Sequence, residues 1–193
     1  MVRERTIKVY SVTELSDRAY ERAFDNWLQV FDYPWGSENS STLKAFSDIF
    51  PVRVHDWSYD AYTHSVSFDM ECVEAAIINL SGVRLATYIW NNYGSDLFRG
   101  KYYSNGRKHR RSRIIMDTSC ILTGYYLDED ILAPVYAFLR RPDDRSFRDL
   151  MEDCLDAWGK ACSSDYEDRT SEWAFLEDCE ANEWEFDEDG RMV

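Results

Sequence analysis

From Met151 to Val193 the chain carries fifteen Asp and Glu against three Lys and Arg, interleaved with Trp158, Tyr166, Trp173, Phe175, Trp184 and Phe186. A stretch of this charge without large apolar side chains stays unfolded, because nothing offsets the entropy lost on ordering the backbone. Here every acidic run has a ring beside it, so the region is expected to fold into an acidic surface backed by aromatic residues. A folded negative face attracts positively charged partners and repels nucleic acid, which makes a basic surface the first expected partner.

The whole chain has 193 residues, a formal net charge of -14, and 45% hydrophobic and 16% aromatic residues. At this length roughly 70% of the unfolded surface can be buried, enough for a core without metals or disulfides. Four Pro and eight Gly leave little room for a flexible linker. The expectation is a single α+β domain over 1–193, with a basic loop at 99–113 and an acidic helical region at 146–193. Cys72, Cys120, Cys154, Cys162 and Cys179 are odd in number, widely spaced and lack a C-x-x-C pair, which fits reduced thiols in a cytosolic protein. Cys154 and Cys162, two helical turns apart, are expected on one buried face. The segment from Met1 to Tyr10 lacks the apolar run of a signal peptide, and Ala75 to Trp90 falls short of the roughly 20 apolar residues that span a bilayer. No membrane association is expected.

Periodicity predicts the elements. Thr6 to Val12 alternates as a short strand, and a helix capped by Ser16 follows, with Leu15, Ala19, Ala23, Trp27 and Val30 on its apolar face. Ser40 to Phe50 reads as a second helix. Val52 to Tyr59 and His64 to Met70 alternate as the strands of a hairpin, and Cys72 to Tyr93 is helical with a break at Ser81-Gly82. Asp128 to Arg140, Ser146 to Ala161 and Thr170 to Glu180 are further helices. Glu183 to Val193, with Trp184 and Phe186 at strand spacing and a turn at Asp189-Gly190, is placed beside the first strand. The fold class is therefore α+β, a small antiparallel sheet packed against several helices.

Four groups carry possible chemistry. Arg99, Lys101, Arg107, Lys108, Arg110, Arg111 and Arg113, with His109, Tyr102 and Tyr103, form a basic patch able to hold phosphates while the tyrosines stack on bases. The field of the whole protein opposes that use, so a solvated loop pairing with the protein's own acids is favoured, and direct nucleic-acid binding is not expected. Glu185, Asp187, Asp189 and Gly190 reproduce the opening of a calcium loop, but its twelfth-position acid would fall beyond Val193. His55 and His64 can approach across the hairpin with Asp56 or Asp69, without any metal-site spacing. Cys72 or Cys120 with His64 lacks a nucleophile motif, and no phosphate-binding glycine loop, G-x-S-x-G elbow or H-E-x-x-H helix is found. No catalytic residue, metal or cofactor is expected.

The strongest signal is the acidic array. Glu152, Asp153 and Asp156, then Glu177, Asp178, Glu180 and Glu183, fall largely at three- and four-residue steps, which place carboxylates about 5 to 6 Å apart along a helix surface. DNA phosphates present charge at a comparable density, so such an array can occupy a groove built for nucleic acid. A merely soluble acidic face is the alternative.

The opening VYSVTELSDRAYERAFDNW, the segments LTGYYLDEDILAPVYAFLRRPD and FRDLMEDCLDAWGKACSSDYE, and the ending EANEWEFDEDGRMV resemble a family of uncharacterised proteins of bacteriophages and mobile elements. The likeness touches both ends and most of the second half; from Trp35 to Ser119 it is weaker. It implies a mobile-element context and, with it, inhibition of host defence, including the anti-CRISPR class. The leading expectation is a non-enzymatic, anti-CRISPR-like protein in the cytoplasm of the bacterial host. It would bind a basic nucleic-acid-binding surface of a CRISPR effector through a DNA-mimicking face made by the seven acids above. The alternative site is Arg107, Lys108, Arg110 and Arg111. The alternative functions are an antitoxin-like partner and a cryptic hydrolase.

Overall fold

The computed structural model describes residues 8–71, 73–101 and 115–193. Their architecture is α+β, as the periodicities require, and it divides into two units: Met1–Pro34 with Asp165–Val193, and Trp35–Ser164. Each has its own apolar core.

In the smaller unit the chain enters through Tyr10, which exchanges two backbone hydrogen bonds with Phe186, each 2.9 Å. The expected strand from Thr6 thus contributes one antiparallel bridge, because the backbone then closes a 3-10 turn over Val12–Glu14 in which Glu14 reaches back to the Ser11 amide; Thr6 and Ile7 lie outside the described residues. The placement of the last segment beside the first holds. Helix α1, Asp17–Val30, begins where expected, with the Ser16 hydroxyl accepting from the Ala19 amide. Ala19, Ala23 and Trp27 are buried at four-residue steps, but Val30 is exposed. Phe31 takes its place, leaving the helix in extended backbone to pack against Trp27 at 5.2 Å.

The later part of the chain supplies helix α6, Phe147–Arg169, and helix α7, Glu172–Ala181, the latter capped by the Ser171 hydroxyl. Helix α6 belongs to the smaller unit only from Asp165. At the centre of this unit lies Phe175 on α7, with ring contacts to Tyr20, Phe24, Trp27 and Phe186 at 5.5–6.5 Å. Burying such a ring contributes about 2 to 3 kcal/mol. The terminal turn is fixed by Gly190, whose φ of +79° suits glycine and whose missing Cβ makes room for the Ala19 carbonyl.

The larger unit opens with α2, Gly36–Ile49, followed by β1, Val52–Tyr59, and β2, His64–Met70, whose bounds match the sequence reading. Asp60 makes the turn by accepting the Tyr62 and Thr63 amides at 2.8 Å each. These hydrogen bonds hold its carboxyl below the ordinary carboxylate range. Helices α3, Ala75–Ile78, and α4, Gly82–Leu97, divide at the expected break, where the Leu80 carbonyl and the Gly82 amide leave the helix to bond Phe147 and Asp143. A short antiparallel pair, β3 (Arg99–Lys101) and β4 (Ile115–Asp117), replaces the start of the expected basic loop at 99–113 with a strand. Helix α5, Leu127–Arg140, and the first part of α6 complete the unit. Helix α6 runs past the Ala161 stop read from sequence, since Cys162 and Ser163 are buried and the Ser163 hydroxyl donates to the Asp60 carbonyl. Cys154 and Cys162 are both fully buried in this core, as expected, and burial pushes the Cys154 thiol well up.

Candidate protein-binding surface

The seven acids of the predicted array divide between the two units. Glu152, Asp153 and Asp156 lie on the part of α6 in the larger unit, and two of the three are already engaged. Asp153 accepts from the Arg145 guanidinium at 2.5 Å, which Asp143 also holds at 2.8 Å. Asp156 meets Nε2 of His64 at 2.8 Å, and Gly159 lets that imidazole approach the helix closely, where any Cβ would strike the ring. These contacts tie the hairpin and the loop before α6 to the helix. Only Glu152 faces solvent without a described partner.

Glu177, Asp178, Glu180 and Glu183 belong to the smaller unit, and none of the four pairs with a cation among the described residues. Asp178 alone has a side-chain partner there, since it turns inward to accept from Nε1 of Trp27 at 3.0 Å. Glu183 has a φ of +52°. It sits one residue past the α7 cap Asn182, its amide bonded to the Glu180 carbonyl and the Trp184 amide to that of Cys179. This is the Schellman arrangement, in which the left-handed position usually belongs to Gly. An exposed carboxylate occupies it here.

The sequence groups Trp173 with the rings that back the acidic region, yet it is 67% exposed. Helix α7 turns Phe175 and Cys179 into the core, and burial, then the charge of Asp178, raises the Cys179 thiol to about 11. Its opposite face carries Trp173, Leu176, Glu177 and Glu180, residues i, i+3, i+4 and i+7, all exposed. Helical spacing of 173 and 176 against 175 and 179 was the available signal. The helix is apolar on both sides.

A groove lies along each flank of this face. One, of about 640 Å³, is lined by Phe31, Asp32, Asp168, Trp173, Glu177 and Asp178 together with Arg169, which pairs with Asp165 on its own helix. The other, of about 710 Å³, is lined by Glu14, Leu176, Glu180, Glu183, Trp184 and Glu185. Each pairs an aromatic wall with several carboxylates, an arrangement suited to the stem and head of a Lys or Arg side chain.

The remaining predicted groups resolve differently. His55 and His64 do not share a site, because the register sets Tyr59 opposite His64 and His55 turns instead to Asp69 at 2.8 Å. Asp187 spends one carboxylate oxygen on the Asp189 and Arg191 amides, so the calcium-like run closes a turn. Among the described residues, no three His, Cys, Asp or Glu side chains converge as a metal site, and no helix is long and apolar enough to cross a membrane. Arg107, Lys108, Arg110 and Arg111 lie outside the described residues, as does Cys72. Comparison with family models, curated proteins and solved structures finds no match to the chain.

Proposed function

We propose that the protein acts by binding rather than by turnover, occupying a basic, nucleic-acid-binding surface of a bacterial defence protein. A CRISPR effector is the target class that the resemblance to phage proteins implies. The observation that carries this reading is the distribution of charge. The smaller unit has 18 Asp and Glu against seven Lys and Arg, a net of -11 out of -14, whereas the larger has 18 against 15. Excess charge held on so small a body destabilises it through self-repulsion, a cost relieved when a basic surface covers it. Glu177, Glu180 and Glu183, exposed and without described cations, are the contacts assigned to that surface. Asp153, Asp156 and Asp178 are assigned to internal hydrogen bonds and leave the mimicking array.

Titration of a purified effector against the protein tests the proposal, with inhibition expected to saturate at a fixed stoichiometry. Association should slow as salt rises, because steering between opposite charges is screened beyond about 8 Å at physiological ionic strength. Inhibition at far below one protein per effector would mean catalysis and overturn the reading. A salt-independent on-rate would remove the acidic face from recognition.

A further inference from the structure

The exposed face of α7 is more than a row of charges. An array that only imitates phosphates needs no apolar surface, yet Trp173 and Leu176 stand on the same stripe as Glu177 and Glu180, with exposures of 67% and 36% for the two apolar residues. Large apolar side chains grouped on an outward helix face and bordered by polar residues are suited to being covered by another molecule. The charge around it selects the occupant. Carboxylates border the stripe on both flanks, Asp32, Asp168 and Glu177 toward one groove and Glu180, Glu183 and Glu185 toward the other. A second copy would bring the same acids against these and be repelled. An apolar segment flanked by cations would satisfy both features at once.

We infer that the outward face of α7 is a docking ridge for a basic amphipathic segment of a partner protein. Trp173 and Leu176 take the apolar centre of that segment, and the two grooves take Lys or Arg side chains from its edges. Residues at i, i+3, i+4 and i+7 share one helix face, so Trp173, Leu176, Glu177 and Glu180 can meet a single segment together. This deepens the binding function proposed above and rests on it, but it adds a requirement that charge mimicry lacks, namely an apolar patch between the partner's cations.

Two synthetic peptides of equal positive charge test the inference. One sets Lys and Arg in Gly and Ser; the other sets the same cations along a helix with Leu on one face. The amphipathic peptide should bind about tenfold tighter or better, since anchors of this type commonly dominate a small interface. Trp173→Ser, at a position too exposed to support the fold, should reduce its affinity to that of the flexible peptide with an unchanged melting temperature. Leu176→Ser should act in the same direction. Glu177→Gln with Glu180→Gln should weaken both peptides. Equal binding of the two peptides by the unmodified protein overturns the ridge, as does a Trp173→Ser variant that retains the preference. Concentration-dependent dimerisation abolished by Trp173→Ser would make a second copy the occupant and also overturn it. If Trp173→Ser still inhibits an effector fully while Glu177→Gln with Glu180→Gln does not, the ridge fails and the charge-based function stands.

Discussion

The two groups of acids in the predicted array look alike in sequence and differ in employment. On α6, Asp153 and Asp156 are held by Arg145 and His64. On and just beyond α7, Glu177, Glu180 and Glu183 meet no described cation, and their neighbour Trp173 is exposed as well. The difference lies in what surrounds them. The larger unit has nearly as many cations as acids, and three of those described are engaged within it: Arg145 bridges two aspartates, Arg53 bonds Glu71, and Arg148 lies over the Phe68 ring. The smaller unit has few cations to spend. An acid's meaning therefore comes from the supply of local partners, and spacing alone does not reveal it.

The comparison breaks most severely at the core of the smaller unit. Phe175→Ala removes the ring that joins Tyr20, Phe24, Trp27 and Phe186, and should cost about 3 to 5 kcal/mol. Hydrogen exchange should rise throughout residues 10–33 and 172–192 before it rises in the hairpin. If both units lose protection together, their stabilities are coupled and charge cannot be assigned to one of them separately.

Next come the adjacent residues Asp178 and Glu177. Asp178→Ala leaves the Trp27 indole N–H, otherwise bonded at 3.0 Å, without its acceptor, a loss of about 1 to 3 kcal/mol. Glu177→Ala should change stability by no more than about 0.5 kcal/mol and lower affinity for a basic partner instead. Equal melting temperatures for the two variants would mean that the inward and outward acids of α7 are not distinct.

A smaller effect is expected on α6. Asp153→Ala removes one of two carboxylates on a partly exposed guanidinium, and should cost about 1 kcal/mol at most, with binding per folded molecule unchanged. Loss of binding at intact stability would return α6 to the interface and undo the division of roles.

How much of this was legible follows the same line. The bounds of the hairpin were legible because Val52 and Val54, then Val66, Phe68 and Met70, alternate with polar residues; its turn was not, since Asp60 to Thr63 carry no Asn-Gly signal and the Asp60 carboxylate closes it instead, and neither was the irregularity between Val54 and Asp56. The cap at Ser16 is equally local. The length of α6 was not legible, since Ser163 and Ser164 look like a stop until the Asp60 carbonyl gives the Ser163 hydroxyl a partner. Nor was the division into two units, because no Pro- or Gly-rich linker marks Pro34 or Ser164. The sorting of Asp178 from Glu177 needed the position of Trp27, which lies more than a hundred residues away in the chain. Local chemistry writes elements and turns into sequence; which carboxylates remain available is decided by distant neighbours.

The smallest effect has the opposite sign. Glu183 holds a φ of +52° in the position of the α7 terminus that suits Gly, while its side chain makes no described hydrogen bond or ion pair. A left-handed conformation costs a residue with a Cβ about 1 kcal/mol, and the Schellman bonds from the Glu183 and Trp184 amides survive removal of the side chain. Glu183→Gly should therefore stabilise the smaller unit, by about 0.5 to 1 kcal/mol once the greater freedom of Gly in the unfolded chain is offset. Thermal melting measures the gain. Affinity for the amphipathic basic peptide should fall in the same variant, because one groove loses a carboxylate from its edge. A variant that melts higher and binds less would show a left-handed Glu retained for contact at the expense of stability. One that melts higher and binds as before would confine the interface to Trp173, Glu177 and Glu180, and the second groove would drop out of the recognition surface.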